Sequence, residues 1–122
     1  MKTLDFEKTI EELLFRFPEF SNSEDRKQVY DNDGAYIYFS YFGDFLLDKI
    51  DKSENDEFIK KAFNYMNEIF DREGMTTDIW DLFNIELFER FDFEDKYKIL
   101  ASKYLKGKAL LAFQNREGRP MN

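Results

Sequence analysis

Ala35-Tyr36-Ile37-Tyr38-Phe39-Ser40-Tyr41-Phe42-Gly43-Asp44-Phe45-Leu46-Leu47-Asp48-Lys49-Ile50-Asp51 is the stretch on which the fold turns. Its first half, residues 35–42, is rich in Tyr, Ile and Phe, a composition that suits a strand. A half-buried strand alternates apolar and polar residues, however, and this stretch does not. At about 100° per residue, Tyr38, Phe39, Phe42, Phe45, Leu46 and Ile50 gather on one side of a helix, with Asp44, Asp48 and Asp51 on the other. The spacing predicts a helix over 35–51, although Gly43 inside it costs up to ~1 kcal/mol.

Helical spacing continues on both sides. Upstream, Phe6, Ile10, Leu13, Leu14 and Phe17 form one stripe. Thr3 can cap that helix, Asp5 and Glu7 suit its positive end, and Pro18 stops it. Residues 19–34 are polar and close in Asp31-Asn32-Asp33-Gly34, which is turn chemistry; they read as a long loop with a short helical piece. Downstream, Ser53-Glu54-Asn55-Asp56 resembles a capping box with Asp in place of the usual Glu. Phe58, Ala62, Phe63, Met66, Ile69 and Phe70 follow as a third helix, with Gly74 to end it. Thr77 caps a fourth helix carrying Ile79, Trp80, Phe83, Leu87 and Phe91 on one face. Leu82, Ile85 and Phe88 fall elsewhere, so that helix is expected to be buried on more than one side. Asp92 caps a fifth with Tyr97, Leu100, Ala101, Tyr104 and Leu105, ended by Gly107. Residues 108–115 form a short sixth helix, and 116–122 a loose tail.

The fold class is therefore all-α, a single domain over 1–122 built as a compact bundle or stack of five to six antiparallel helices. Its expected core is Phe6, Ile10, Leu13, Phe42, Phe63, Met66, Ile69, Trp80, Phe83, Leu87 and Leu100.

Composition narrows the chemistry. The chain has 122 residues, 26 acids against 18 bases, a net charge of −8, 15 Phe, 7 Tyr, 1 Trp, and neither Cys nor His. That many aromatics argues against disorder. Without Cys there are no disulfides, zinc thiolates or thiol nucleophiles; without His the commonest general base and metal ligand is missing. No cofactor or metal is expected, and no enzyme activity. The segment Met1–Glu7 has acids where a signal peptide needs an apolar core, and no stretch approaches ~20 apolar residues, so the cytoplasm is the expected compartment.

The charge is uneven. Residues 1–95 hold 25 acids against 11 bases, net −14; residues 96–122 hold one acid (Glu117) against seven bases (Lys96, Lys98, Lys103, Lys106, Lys108, Arg116, Arg119), net +6. Such a body repels nucleic acid and acidic membrane and attracts basic protein. The basic segment is expected to dock on the acidic body.

Each candidate motif meets a plainer reading. With Gly34 at the sixth position of a calcium loop, Val29 and Ser40 fall where an oxygen ligand and a bidentate Glu are needed; a turn fits better. Glu86-x-x-Glu89 lacks the His of a di-iron bundle site. Ser and Thr have no His base, and no Gly-rich phosphate loop exists. The aromatic run of 36–45 is a core stripe, with Tyr36 and Tyr41 at its edge expected to be partly exposed. What remains is the acidic stripe Asp44, Asp48 and Asp51, extended by Asp31, Asp33 and Glu54. Its plain reading is a solvated face; its sharper reading is a landing surface for a basic partner, with Tyr36 and Tyr41 beside it.

Phe17-Pro18-Glu19-Phe20 and Phe42-Gly43-Asp44-Phe45-Leu46-Leu47, in a small acidic helical chain without Cys, resemble the immunity proteins that bacteria pair with polymorphic or contact-dependent toxins. The resemblance implies a non-catalytic neutraliser, monomeric outside its complex, that covers the basic cleft of a cognate toxin nuclease; it transfers no residue's role. The alternative function is a helical adaptor or regulatory domain binding through a hydrophobic groove, and a third is an enzyme working through carboxylates.

Overall fold

The structure, a computed structural model, describes residues 5–30, 32–53, 56–74 and 76–116. Every regular element among them is helical: α1 (Phe6–Arg16), α2 (Pro18–Ser21), α3 (Glu24–Lys27), α4 (Ala35–Lys52), α5 (Glu57–Glu73) and α6 (Thr77–Phe83), then a π-helical turn (Asn84–Phe88) and a 3-10 turn (Arg90–Phe93), then α7 (Asp95–Tyr104) and α8 (Gly107–Gln114). The described residues thus hold eight α-helices instead of five or six. Two of the additions are the one-turn helices α2 and α3, where the sequence suggests a loop with one helical piece. Pro18 ends α1 and, being suited to a first helical position, opens α2.

Residues 35–52 form one helix, not a strand. Tyr38, Phe39, Phe42, Leu46 and Ile50 are buried there, and α4 packs against α1, α3, α5, α6 and the π turn. The second hub is α5, which packs against α4, α7 and α8. Gly74 ends α5 at φ 79°, a left-handed backbone that suits a residue without a Cβ.

Several expected caps move by a residue or two. Thr3 lies outside the described residues; the cap seen on α1 is Asp5, whose carboxylate accepts from Lys8 N at 3.1 Å. In the capping-box stretch Glu54 and Asn55 lie outside the described residues, and the Asp56 carboxylate accepts from Phe58 N at 2.8 Å. Thr76, not Thr77, caps α6. Asp92 caps nothing: it sits in the 3-10 turn, and α7 starts after Glu94. Gly107 opens α8 instead of closing α7, which ends at Tyr104. The fourth helix is not continuous, because the π turn widens it after Phe83.

The core is a lattice of rings. Phe42 meets Phe17, Phe20, Phe39 and Phe58 at centroid distances of 5.0, 5.4, 6.2 and 5.9 Å. Of the expected core, Leu13, Phe42, Phe63, Met66, Ile69, Trp80, Phe83, Leu87 and Leu100 are buried, while Phe6 and Ile10 are half-buried at its margin. Phe17 and Phe20 take the deeper places, because the bend at Pro18 turns both inward.

Tyr65 lies fully buried in this lattice, and among the described residues its hydroxyl meets no hydrogen-bond partner. Burial pushes its ionisation above the ordinary 10.0. Tyr97 is raised likewise, by burial and then by the hydrogen bond it donates to Asp51. Up to about pH 10 both the folded and unfolded chains keep these protons; above it the unfolded chain releases them and the fold does not. Stability should therefore hold up to about pH 10 and fall as pH climbs further. Tyr65→Phe should shallow that fall and raise stability near neutrality by about 1 kcal/mol, by deleting an unpaired buried hydroxyl. Denaturant titrations at neutral and alkaline pH check both; a variant that loses stability would mean that the hydroxyl is satisfied.

Candidate functional site

The acidic stripe of α4 is real in position and different in use. Asp44, Asp48 and Asp51 all lie on the exposed side of the helix. Each has a cation from the same chain beside it. The Asp48 carboxylate pairs with Lys52 at 2.9 Å, one turn on. Asp51 accepts from Lys96 at 2.7 Å and from the Tyr97 hydroxyl at 2.8 Å, which holds its carboxyl below the usual range and ties α4 to α7. Asp44 pairs with Arg90, and Arg90 also donates to Ser40 Oγ at 2.7 Å. A stripe that reads in the sequence as a solvated face or a landing surface is thus also a seam joining α4 to the last third of the chain. The basic segment does dock on the body in this way, and Arg116, expected in a loose tail, pairs with Asp92. Residues 117–122 lie outside the described residues.

Arg90 reaches Asp44 because of Gly43. A Cβ placed on Gly43 would lie 2.9 Å from Arg90 Cδ, Arg90 Nε and the backbone oxygen of Glu86. The missing side chain lets the π turn lie directly on α4, and π turns recur at functional positions. Glu86, half-buried there, has its carboxyl raised by burial and then by its neighbours Glu89 and Asp44, against the opposing pull of Arg90. On the other flank α3 sets Asp25 against α4; burial raises its carboxyl first, and repulsion from Asp44 and Asp48 adds to that. Three elements therefore converge five carboxylates, Asp25, Asp44, Asp48, Glu86 and Glu89, around two cations, Arg90 and Lys52.

The other expected contact residues lie apart from this cluster or act locally. Asp33 accepts from Tyr30 N at 2.8 Å and closes the turn before α4. Tyr36 is half-buried against the Phe6 ring, 6.1 Å away, and Tyr41 is half-buried against the core. Asp31 and Glu54 lie outside the described residues. Asp25 and Arg90 carry no signal in the sequence, Gly43 reads there only as a cost to the helix, and Glu86 with Glu89 only as an incomplete di-iron pair; the one available signal is a glycine in the middle of an otherwise good helix, which often marks a close approach.

Among the described residues no group of three or more acidic side chains is arranged to hold a metal ion. No described helix is long and apolar enough to cross a membrane. No curated protein and no solved structure matches the chain. Residues 10–117 match the family model described as Domain of unknown function (DUF7674), and the chain belongs to that family.

Proposed function

We propose that the chain is a non-catalytic protein-binding module whose α3–α4–π surface receives a basic partner. The observation that carries this reading is the convergence of Asp25, Asp44, Asp48, Glu86 and Glu89 on one surface, close enough that Asp44 and Asp48 repel Asp25, and Glu89 and Asp44 repel Glu86 against the larger pull of Arg90. Holding like charges together opposes folding, and a basic partner would relieve it while gaining on-rate and selectivity from the field. The narrower form, an immunity-type neutraliser covering a toxin's basic surface, rests on the sequence resemblance alone.

Asp44 and Asp51 are poor choices for a test, since each holds the fold together. Asp48 and Glu89 are exposed and better suited. Asp48→Lys combined with Glu89→Lys should leave stability within about 1 kcal/mol. Association with a basic partner captured from the native host should slow about tenfold at low salt, and the difference should shrink as salt rises. An unchanged rate would reduce the cluster to a solvated face. Association that ignores salt in both proteins would favour the adaptor reading with an apolar groove.

A further inference from the structure

We propose that the turn joining α7 to α8 is a second docking surface, for an acidic protein segment that also carries apolar side chains. In the basic segment, Lys96, Lys98 and Arg116 pair with Asp51, Asp95 and Asp92. Lys103, Lys106 and Lys108 have no carboxylate partner among the described residues, and all three are exposed. In a chain with 26 acids to 18 bases, three lysines within six positions lack the carboxylate pairing that covers their neighbours, Lys103 lying instead over the Tyr104 ring at 5.2 Å.

The turn is held firmly. Asn67 of α5 donates through Nδ2 to the Tyr104 carbonyl at 3.0 Å and accepts through Oδ1 from Lys106 N at 2.8 Å. Leu105 is buried between these bonds, and the Tyr104 ring stacks on Phe63 at 5.8 Å. The lysines therefore project from a fixed frame, which lowers the ordering cost of binding. One turn before Lys103 on α7 stands Ile99, 65 % exposed; one turn after Lys108 on α8 stands Leu111, 53 % exposed. Each arm thus places an apolar side chain in line with a lysine.

Charge selects the occupant. Against the turn itself stands Asp71, whose Oδ1 lies 3.5 Å from where a Cβ on Gly107 would be. At about 8 Å of screening in physiological salt, a short acidic segment seated here feels mainly the lysines. An extended polyanion, nucleic acid or anionic membrane, would also meet the remainder of the chain, whose first 95 residues carry net −14. Ile99 and Leu111 add apolar contact that a phosphate backbone cannot use.

The test uses a synthetic 20-residue helical peptide with Glu on one face and Leu on the other, titrated into the 15N-labelled full chain. Amide shifts should centre on 99–111. Lys103→Glu, Lys106→Glu and Lys108→Glu together should weaken binding at least tenfold at low salt. Ile99→Ser with Leu111→Ser should weaken it several-fold with the lysines intact, and both variants should melt as the wild type does. Polyglutamate of equal length should bind at least tenfold more weakly. Shifts centred elsewhere, polyglutamate binding as tightly as the peptide, or duplex DNA or phosphatidylserine vesicles binding as tightly would each overturn the proposal.

Discussion

Phe42→Ala should lose about 4–5 kcal/mol of folding free energy, the largest single-residue effect expected in this chain. Phe42 is fully buried and its ring meets four others, from α1, α2, α4 and α5 or the caps between them. Truncation removes the transfer energy of the ring and leaves a cavity that those neighbours, themselves held edge-on by further rings, cannot close. Domains of this size are commonly stable by only about 5–15 kcal/mol, so the variant should be close to unfolding at physiological temperature. Urea titration gives the answer directly. A loss under about 2 kcal/mol would mean that the ring lattice relaxes around the hole and that the core is more plastic than its packing suggests.

The next residue along the chain is expected to respond in the opposite sense to its ordinary chemistry. At a typical interior helical site, Gly→Ala gains up to ~1 kcal/mol. At Gly43 the new methyl would meet Arg90 Cδ, Arg90 Nε and the Glu86 carbonyl oxygen, each at 2.9 Å. The Arg90 side chain can swing away, losing Asp44 and Ser40 as it goes; the Glu86 carbonyl is backbone and can move only with the π turn. Overpacking of this kind costs about 1–3 kcal/mol, so Gly43→Ala should destabilise the fold by about 2 kcal/mol. Arg90→Ala in the Gly43→Ala background should cost less than Arg90→Ala alone, because the displaced guanidinium has already lost its partners. Chemical denaturation of the four proteins in that cycle measures both claims, and a stabilised Gly43→Ala would show that the π turn does not rest on α4.

How much of this was legible in the sequence depends on the range of the interaction. The helix at 35–52 was readable because its rings recur at helical spacing, and its two ends because Gly34 and Ser53 interrupt the pattern. Pro18 and Gly74 were readable for the same local reason. Caps were readable only to within a residue or two, since Thr76 and Thr77 are chemically interchangeable until tertiary packing selects one, and α7 starts after Glu94 with no side-chain cap at all. Phe17 and Phe20 could not be ranked above Phe6 without knowing that the chain bends at Pro18. The convergence of acids was illegible, because Arg90 and Asp44 are 46 positions apart and nothing local pairs them. The stripe itself was visible; that its charges were already answered from within the chain was not.

The π turn at Asn84–Phe88 has a consequence for how this family can vary in length. A π turn carries one more residue than the α-turn it replaces, so the helix downstream is rotated by about 100° relative to an uninterrupted one. Phe88 and Phe91 reach the core, and Arg90 reaches Asp44, in that rotated phase. Deleting one residue here would restore regular helical bonding and look harmless in an alignment. It would also turn the side chains of residues 88–93 off their targets, so the surplus residue acts as a gear tooth: length at this point is meshed with direction.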